Sequence, residues 1–269
     1  MPSWLPLDPV QHARAGWFQY RDYGFASRDH RVPVVLPEIT RVLPWYPLAF
    51  EPNQQGSRFE LVALLSLTAG QNAYWMPQGQ WHAPYVPSYY RGYPFRRNRD
   101  GQLCIDRDSG LFVETIVPGA LPIFDGGKFA EVTAQVNRFH EQRDEAMALT
   151  RKLVDQMHQA GLISAWAIQW QPKDRPHTLK GYCGTNEERL RDLPPEQYAE
   201  LAHSGALGLA YAQVFSRPRI GDLQYRHRSQ PWQGGEAKRH LHAVENESLD
   251  EMFGQLGDDL SFDFDREND

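Results

Sequence analysis

Cysteine is scarce in this chain, and the signatures of the common catalytic classes are absent. Its 269 residues hold two cysteines, Cys104 and Cys183, with no CxxC spacing. A disulfide framework and a zinc ribbon are thereby excluded, and the pattern fits a reducing compartment. The longest apolar stretch, Leu61 to Leu67, is broken by Ser66 and falls far short of a membrane span. The opening residues, MPSWLPLDPVQHARAG, lack the apolar core of a signal peptide. A cytoplasmic location without membrane insertion is the expectation. There is no GxGxxG, no GxxxxGK[ST], no HExxH and no GxSxG, so nucleotide, metalloprotease and hydrolase classes lose their usual markers. No metal and no cofactor are expected. What is present is a globular composition, 41% apolar and 23% charged.

Charge is distributed unevenly. From Glu236 to Asp269 there are 11 acidic and three basic residues, a net of −8; the remaining 235 residues carry 23 acidic and 25 basic, a net of +2. The sequence therefore divides into a body over 1–224 and a polar linker with an acidic tail over 225–269. Within the tail, Ser248-Leu249-Asp250-Glu251 fits a capping box. Leu249, Met252, Phe253 and Leu256 then follow at i, i+3, i+4 and i+7, and Gly257 stands where a helix would stop. A helix of about eight residues is too short to persist alone in water, so these four side chains are the expected docking face of the tail.

The first half of the body is expected to form short strands, among them segments within Val32–Leu36, Tyr46–Phe50 and Arg58–Leu67, with a hairpin turn at Asn98–Gly101. Helical spacing begins after Asp125-Gly126-Gly127 and runs to Ala160 as one long helix or two joined near Gln142-Arg143. Strands are predicted around Ala165–Trp170 and Leu179–Cys183, and a last body helix over Glu196–Phe215. The fold class is α+β: an antiparallel or mixed sheet from the N-terminal half, packed with helices from the C-terminal half.

Histidines invite a metal reading, with His240, His242 and His227 nearest one another in sequence. No third ligand stands at a suitable spacing, and solvent-exposed rings are the expectation. Tyr85 to Arg99 is more distinctive, with five aromatics and four arginines in fifteen residues. Guanidiniums there could clamp a carboxylate, and rings could stack on a partner. The near-neutral body and the acidic tail argue against nucleic acid. A strand with rings inward and arginines outward is the structural alternative. Candidate ligand or partner residues are Tyr85, Arg91, Tyr93, Phe95, Arg96, Arg97, Arg99 and Asp125.

The order of several segments resembles the bacterial SapC family between about Tyr23 and Leu223. The residues that carry it are Phe25-Ala26, His30 to Val34, Glu38, Tyr46 to Phe50, Gln71 to Tyr74 and Gly79-Gln80-Trp81. Further along come Tyr85-Val86-Pro87, Arg91 to Phe95, Ile123 to Gly126, Asn186 to Leu193 and Ser204 to Leu207. The resemblance implies a link to surface-layer export or to outer-membrane systems, and it supplies no catalytic residues. The expected function is an accessory protein that binds a protein or peptide client. The alternative is an enzyme, or a catalytic partner, acting on a peptide or small molecule through Arg91, Tyr93, Asp125 and His82; convergence of those groups in a pocket would favour it. Oligomeric state is left open by the sequence.

Overall fold

The computed structural model describes residues 3–171 and 177–229. The tail residues Leu249, Met252, Phe253 and Leu256, and also His240 and His242, lie outside the described residues. Strands come first: β1 (Trp4–Pro6), β2 (Gly16–Trp17), β3 (Arg31–Pro33), β4 (Leu48–Pro52) and β5 (Phe59–Leu64). A short helix, α1 (Ile39–Val42), separates β3 from β4, and the one-turn α2 (Ser88–Arg91) follows β5. Then come β6 (Phe95–Arg97), β7 (Leu103–Asp106), β8 (Phe112–Val113), β9 (Leu121–Pro122), β10 (Phe124–Asp125) and β11 (Lys128–Phe129). The long helix α3 (Glu131–Gln159) leads to β12 (Ile163–Ala165), β13 (Ile168–Trp170), β14 (His177–Leu179) and β15 (Cys183–Thr185). Four helices close the described chain: α4 (Glu187–Arg191), α5 (Pro195–Ser204), α6 (Ala206–Ser216) and α7 (Arg219–Ser229).

The fold is α+β, and every strand pairing is antiparallel. The main sheet has the order β12-β15-β4-β5-β3, and two three-stranded sheets, β1-β7-β6 and β8-β2-β9, stand apart from it. The apolar run in β5 is buried from Leu61 to Leu64 because α3 and α6 pack around the sheet. A second apolar cluster gathers Trp17, Phe95, Ile105, Ile123 and Val136 under the smaller sheets. Trp17 Nε1 donates to Thr133 Oγ1 at 3.1 Å, which ties that cluster to the first turn of α3.

Between β15 and β4 the ladder is one residue long, Cys183 opposite Phe50. Helix α6 supplies the missing bonds. Buried Gln213 accepts from the Thr185 amide at 2.8 Å and donates to the Leu48 carbonyl at 3.1 Å. Ser216 Oγ accepts from the Leu48 amide at 2.9 Å. A buried backbone group left without a partner costs about 1–3 kcal/mol, so this suture fixes α6 on the sheet.

Several expectations are refined. The helix from Glu131 to Gln159 is one element with no break at Gln142-Arg143. The helix expected over Glu196–Phe215 is two, because Gly205 takes φ 87° and turns the chain between α5 and α6. Helix α7 continues to Ser229, five residues into the stretch read as linker. His227 is half-buried on α7 rather than free in solvent: its Nε2 accepts from the Leu67 amide at 3.2 Å and lies 2.7 Å from Ser66 Oγ. Burial of that ring holds its pKa below the usual histidine value.

Candidate functional site: a half-open aromatic array above a buried carboxylate

Glu38 ends a short 3₁₀ turn before α1 and is 1% exposed. Its carboxylate accepts from the Tyr85 hydroxyl at 2.8 Å, the Ser88 amide at 2.8 Å, the Ser88 hydroxyl at 2.9 Å and the Val35 amide at 3.0 Å. Three arginines face the rings around it. Arg91 lies 4.6 Å and Arg41 5.2 Å over Tyr85, and Arg143 of α3 lies 4.9 Å over Tyr89. Burial lowers the Arg143 pKa, and the charge of Glu38 opposes that shift. A carboxylate with four donors and cations nearby is the form in which a protein tolerates buried charge.

This knot splits the arginine-rich segment. Tyr85 and Arg91 are interior; Arg91 is 7% exposed, and its Nε donates to the Val86 carbonyl at 3.1 Å. Phe95 packs edge-on against Trp17 at 4.8 Å in the second core. Arg96 turns to the other side of β6 and lies 4.1 Å over Trp4. Arg97 donates to the Gly101 carbonyl at 2.8 Å and stands 3.8 Å from Glu141 and 3.7 Å from Asp144. Arg99 is exposed at the hairpin turn, and Asp125 is exposed opposite Lys128 in the β10–β11 hairpin. The His82 side chain is also exposed, and its carbonyl accepts from Arg226 at 2.9 Å. Asp125 therefore stands apart in its own hairpin, whereas the charge of Arg91 acts on Tyr20, whose ring lies 6.3 Å from that of Tyr93, and His82 adjoins Trp81 with its side chain exposed.

Tyr89 is the most exposed ring of the segment, at 47%, and the half-buried member of a wider cluster of rings is Tyr93. Its ring stacks on Phe25 with centroids 3.9 Å apart and planes inclined by 13°. Tyr20 approaches Phe25 at 5.3 Å, Tyr23 approaches Trp81 at 5.4 Å, and Tyr90 lies beneath at 5.9 Å from Phe25. Tyr20, Tyr23, Phe25, Trp81 and Tyr93 are each half-buried, whereas Tyr90, Tyr46 and Tyr74 are sealed. Polar tips fix the array from below. Tyr93 donates to Asp106 at 3.1 Å, Tyr90 to Asp29 at 2.9 Å and Trp81 to the Tyr46 hydroxyl at 2.7 Å. Burial, then the neighbouring Tyr23, pushes the Tyr20 phenol far above its usual value. The loop that carries Tyr23 is pinned to the loop before Trp81, where the Tyr23 amide meets the Gly79 carbonyl at 2.9 Å. Gly79 has φ 88°, and a Cβ there would come within 2.5 Å of Asp22 Cβ, so glycine is required for this approach.

A second glycine sets the floor. A Cβ on Gly92 would lie 2.2 Å from Nε2 and 2.5 Å from Cε1 of His140, a ring that is itself buried. Gly92→Ala is expected to destabilise the fold by about 3 kcal/mol through overpacking, read as a lower denaturation midpoint in urea. A change under about 0.5 kcal/mol would show that the ring can step aside.

Two shallow clefts flank the Arg31–Glu51 ion pair. One, about 230 Å³, is lined by His30, Ser66 to Ala69 and Leu179 to Tyr182; the other, about 220 Å³, by Asp29, Glu60, Val62 and Tyr89, with Arg31 and Glu51. Both fall below the usual size of small-molecule sites. Burial raises the pKa of Asp29 and lowers that of His30. Burial also raises both cysteine thiols, which keeps them protonated and poor as nucleophiles. Among the described residues no group of three His, Cys, Asp or Glu side chains could hold a metal ion. None of the described helices is long and apolar enough to cross a membrane.

A family model described as SapC matches residues 7–223. The chain belongs to the SapC family. No curated protein and no solved structure matches it. The SapC match takes in Tyr20, Tyr23, Phe25, Glu38, Trp81 and Tyr93, so the whole array and its buried anchor fall inside the family region. It ends at Leu223 within α7, and the acidic tail lies beyond it. Reading the Tyr85–Arg99 segment by itself misses Tyr20, Tyr23 and Trp81, since nothing local to that segment points at them. The available signal was the ordered set of family segments, in which Phe25, Glu38 and Trp81 already stood.

Proposed function

We propose that this SapC protein is an accessory protein that binds a protein or peptide client, in surface-layer or outer-membrane protein biogenesis. The observation that carries the reading is the half-buried aromatic array. Five half-buried rings from three separate segments form one cluster there, over a hydrogen-bonded floor. Tyrosine and tryptophan lose few rotamers on binding and dominate the energetics of interfaces. The exposure of Asp125 in its own hairpin and of the His82 side chain weighs against a catalytic pocket built from these two with Arg91 and Tyr93. Family membership supports the link to surface-layer proteins, whose export gives the family its name.

The test compares clients captured from the native lysate by the full chain with those captured by Tyr23→Ala, Tyr93→Ala and Tyr225→Ala. Tyr225 is 71% exposed on α7 and takes part in none of the array's ring contacts described above, so it serves as the control. Loss of a client with the first two substitutions, and retention with the third, is expected. The affinity for the purified client should drop by about 2 kcal/mol, roughly thirtyfold, for each array substitution. Capture that survives both array substitutions in folded protein would remove the array from the reading.

A further inference from the structure

Helices α5 and α6 leave a second apolar surface uncovered, on a different part of the molecule. Tyr198 is 41%, Tyr211 37% and Phe215 65% exposed. Tyr211 and Phe215 stack with centroids 5.9 Å apart, and Tyr198 of α5 lies beside Tyr211. Gly208 lies on the same face of α6, one turn before Tyr211, and nothing lies within 4 Å of where its Cβ would be. The face is therefore a notch at Gly208 followed by two stacked rings, at helical positions i, i+3 and i+7. The opposite side of α6 is committed to the sheet through Leu209, Ala210, Gln213 and Ser216.

We infer that this stripe is the docking site of the chain's own segment Leu249–Leu256. Three observations on the chain converge on that occupant. The segment's sequence places Leu249, Met252, Phe253 and Leu256 on one side of a helix of about eight residues, roughly 12 Å long, which needs an apolar surface to form. From Gly208 to Phe215 the stripe runs roughly 10 Å along α6, a matching length. Its notch admits a large side chain, and Met252 adds a sulfur that pairs well with rings.

The tether reaches. Helices α6 and α7 adjoin at Arg217-Pro218, so the end of the described chain at Ser229 is one helix of 11 residues, roughly 16 Å, from Phe215. Residues 230–248 span up to roughly 60 Å when extended, far more than that distance. Their coil dimension is roughly 25 Å, which holds the segment near the stripe at an effective concentration of order millimolar. Charge draws the tail toward α7, since Ser216 to Ser229 holds four arginines and one aspartate against a net of −8 from Glu236 onward; α5 and α6 themselves hold Glu196 and Glu200 and no lysine or arginine, so the stripe would retain the segment by its apolar side chains alone.

Hydrogen exchange on the full chain, on a chain truncated before Glu236, and on the full-length variants Phe215→Ser and Phe253→Ser tests the inference. Phe215 is mostly exposed, so its replacement leaves the fold intact, as a thermal melt will verify. Peptides covering 249–256 should be protected in the full chain and exchange about tenfold faster or more in Phe215→Ser. Peptides covering α6 should lose protection on truncation and in Phe253→Ser. Protection must be independent of protein concentration. Free exchange of 249–256 in the full chain, or protection indifferent to Phe215→Ser, would overturn the docking. Protection that grows with concentration would overturn docking within one chain and assign the stripe to a second copy. The client reading rests on another surface, and its lysate test is unaffected by any of these results.

Discussion

Glu38→Ala is expected to cost about 3–5 kcal/mol, enough to unfold a domain of ordinary stability at elevated temperature. The carboxylate receives four hydrogen bonds, and each donor is buried with it: the Tyr85 hydroxyl, both donors of Ser88 and the Val35 amide. Alanine leaves these donors without partners, at about 1–3 kcal/mol for each that water cannot reach. It also removes the negative charge that opposes the desolvation of Arg143. Glu38→Gln separates the two effects. Its amide oxygen can replace one carboxylate oxygen, while its NH₂ would face a second pair of donors. The Ser88 hydroxyl can rotate to accept from that NH₂, and a backbone amide cannot. Urea denaturation should therefore rank wild type above Glu38→Gln and Glu38→Gln above Glu38→Ala. An alanine variant within about 1 kcal/mol of wild type would mean that the knot is not a stabilising element.

Stability should also fall as pH drops from 7 to 5, with His140 as the main sensor. Burial, followed by the cations of Arg143 and Arg97, pushes its pKa down to about 3, against the bond it shares with the Gly92 carbonyl at 3.3 Å. The unfolded chain takes up a proton near pH 6.5, and the folded ring does not until near 3. The unfolded state thus binds more protons in this window, and stability rises with pH. The contribution is complete above the unfolded value and is lost progressively below it, by up to about 1.4 kcal/mol per pH unit and about 5 kcal/mol in total. His30 and His227 are also shifted down and act in the same direction. Asp29 and Asp144 are shifted up by burial. Raised carboxylates favour the folded state as they protonate, so they act against the histidine trend as the pH falls. His140→Gln keeps a donor for Gly92 and removes the titration. Urea midpoints of wild type should drop between pH 7 and 5, and those of His140→Gln should drop much less. Equal slopes for the two proteins would shift the effect to other groups.

Much of the fold was legible along the chain. Apolar spacing after Asp125 placed the long helix, because a 29-residue amphipathic element repeats its signal many times over. Asn98 to Gly101 announced the β6–β7 hairpin, because Gly101 supplies the positive φ that the turn needs. The ordered family segments carried the family itself. The break between α5 and α6 was harder to see, since one glycine inside an apolar pattern reads equally well as helix interior or helix end.

The role of the Tyr85–Arg99 segment was decided only in three dimensions. Composition marks its arginines as available to a ligand, yet Arg91 stacks on Tyr85, Arg96 on Trp4, and Arg97 meets Glu141 and Asp144 of α3. Arginine is ambiguous in sequence because its planar cation can lie on a ring inside the protein as readily as it can grip a partner outside. The aromatic array was likewise invisible from any single stretch: Phe25 meets Tyr93, and Trp81 meets Tyr23 and Tyr90, only once β3, β5 and the Glu38 knot have drawn their loops together. Periodicity tells which side of an element faces inward. Which distant side chain it meets there is fixed by packing, and in this chain packing gave Arg91, Arg96 and Arg97 separate partners and left the rings of the array half-buried.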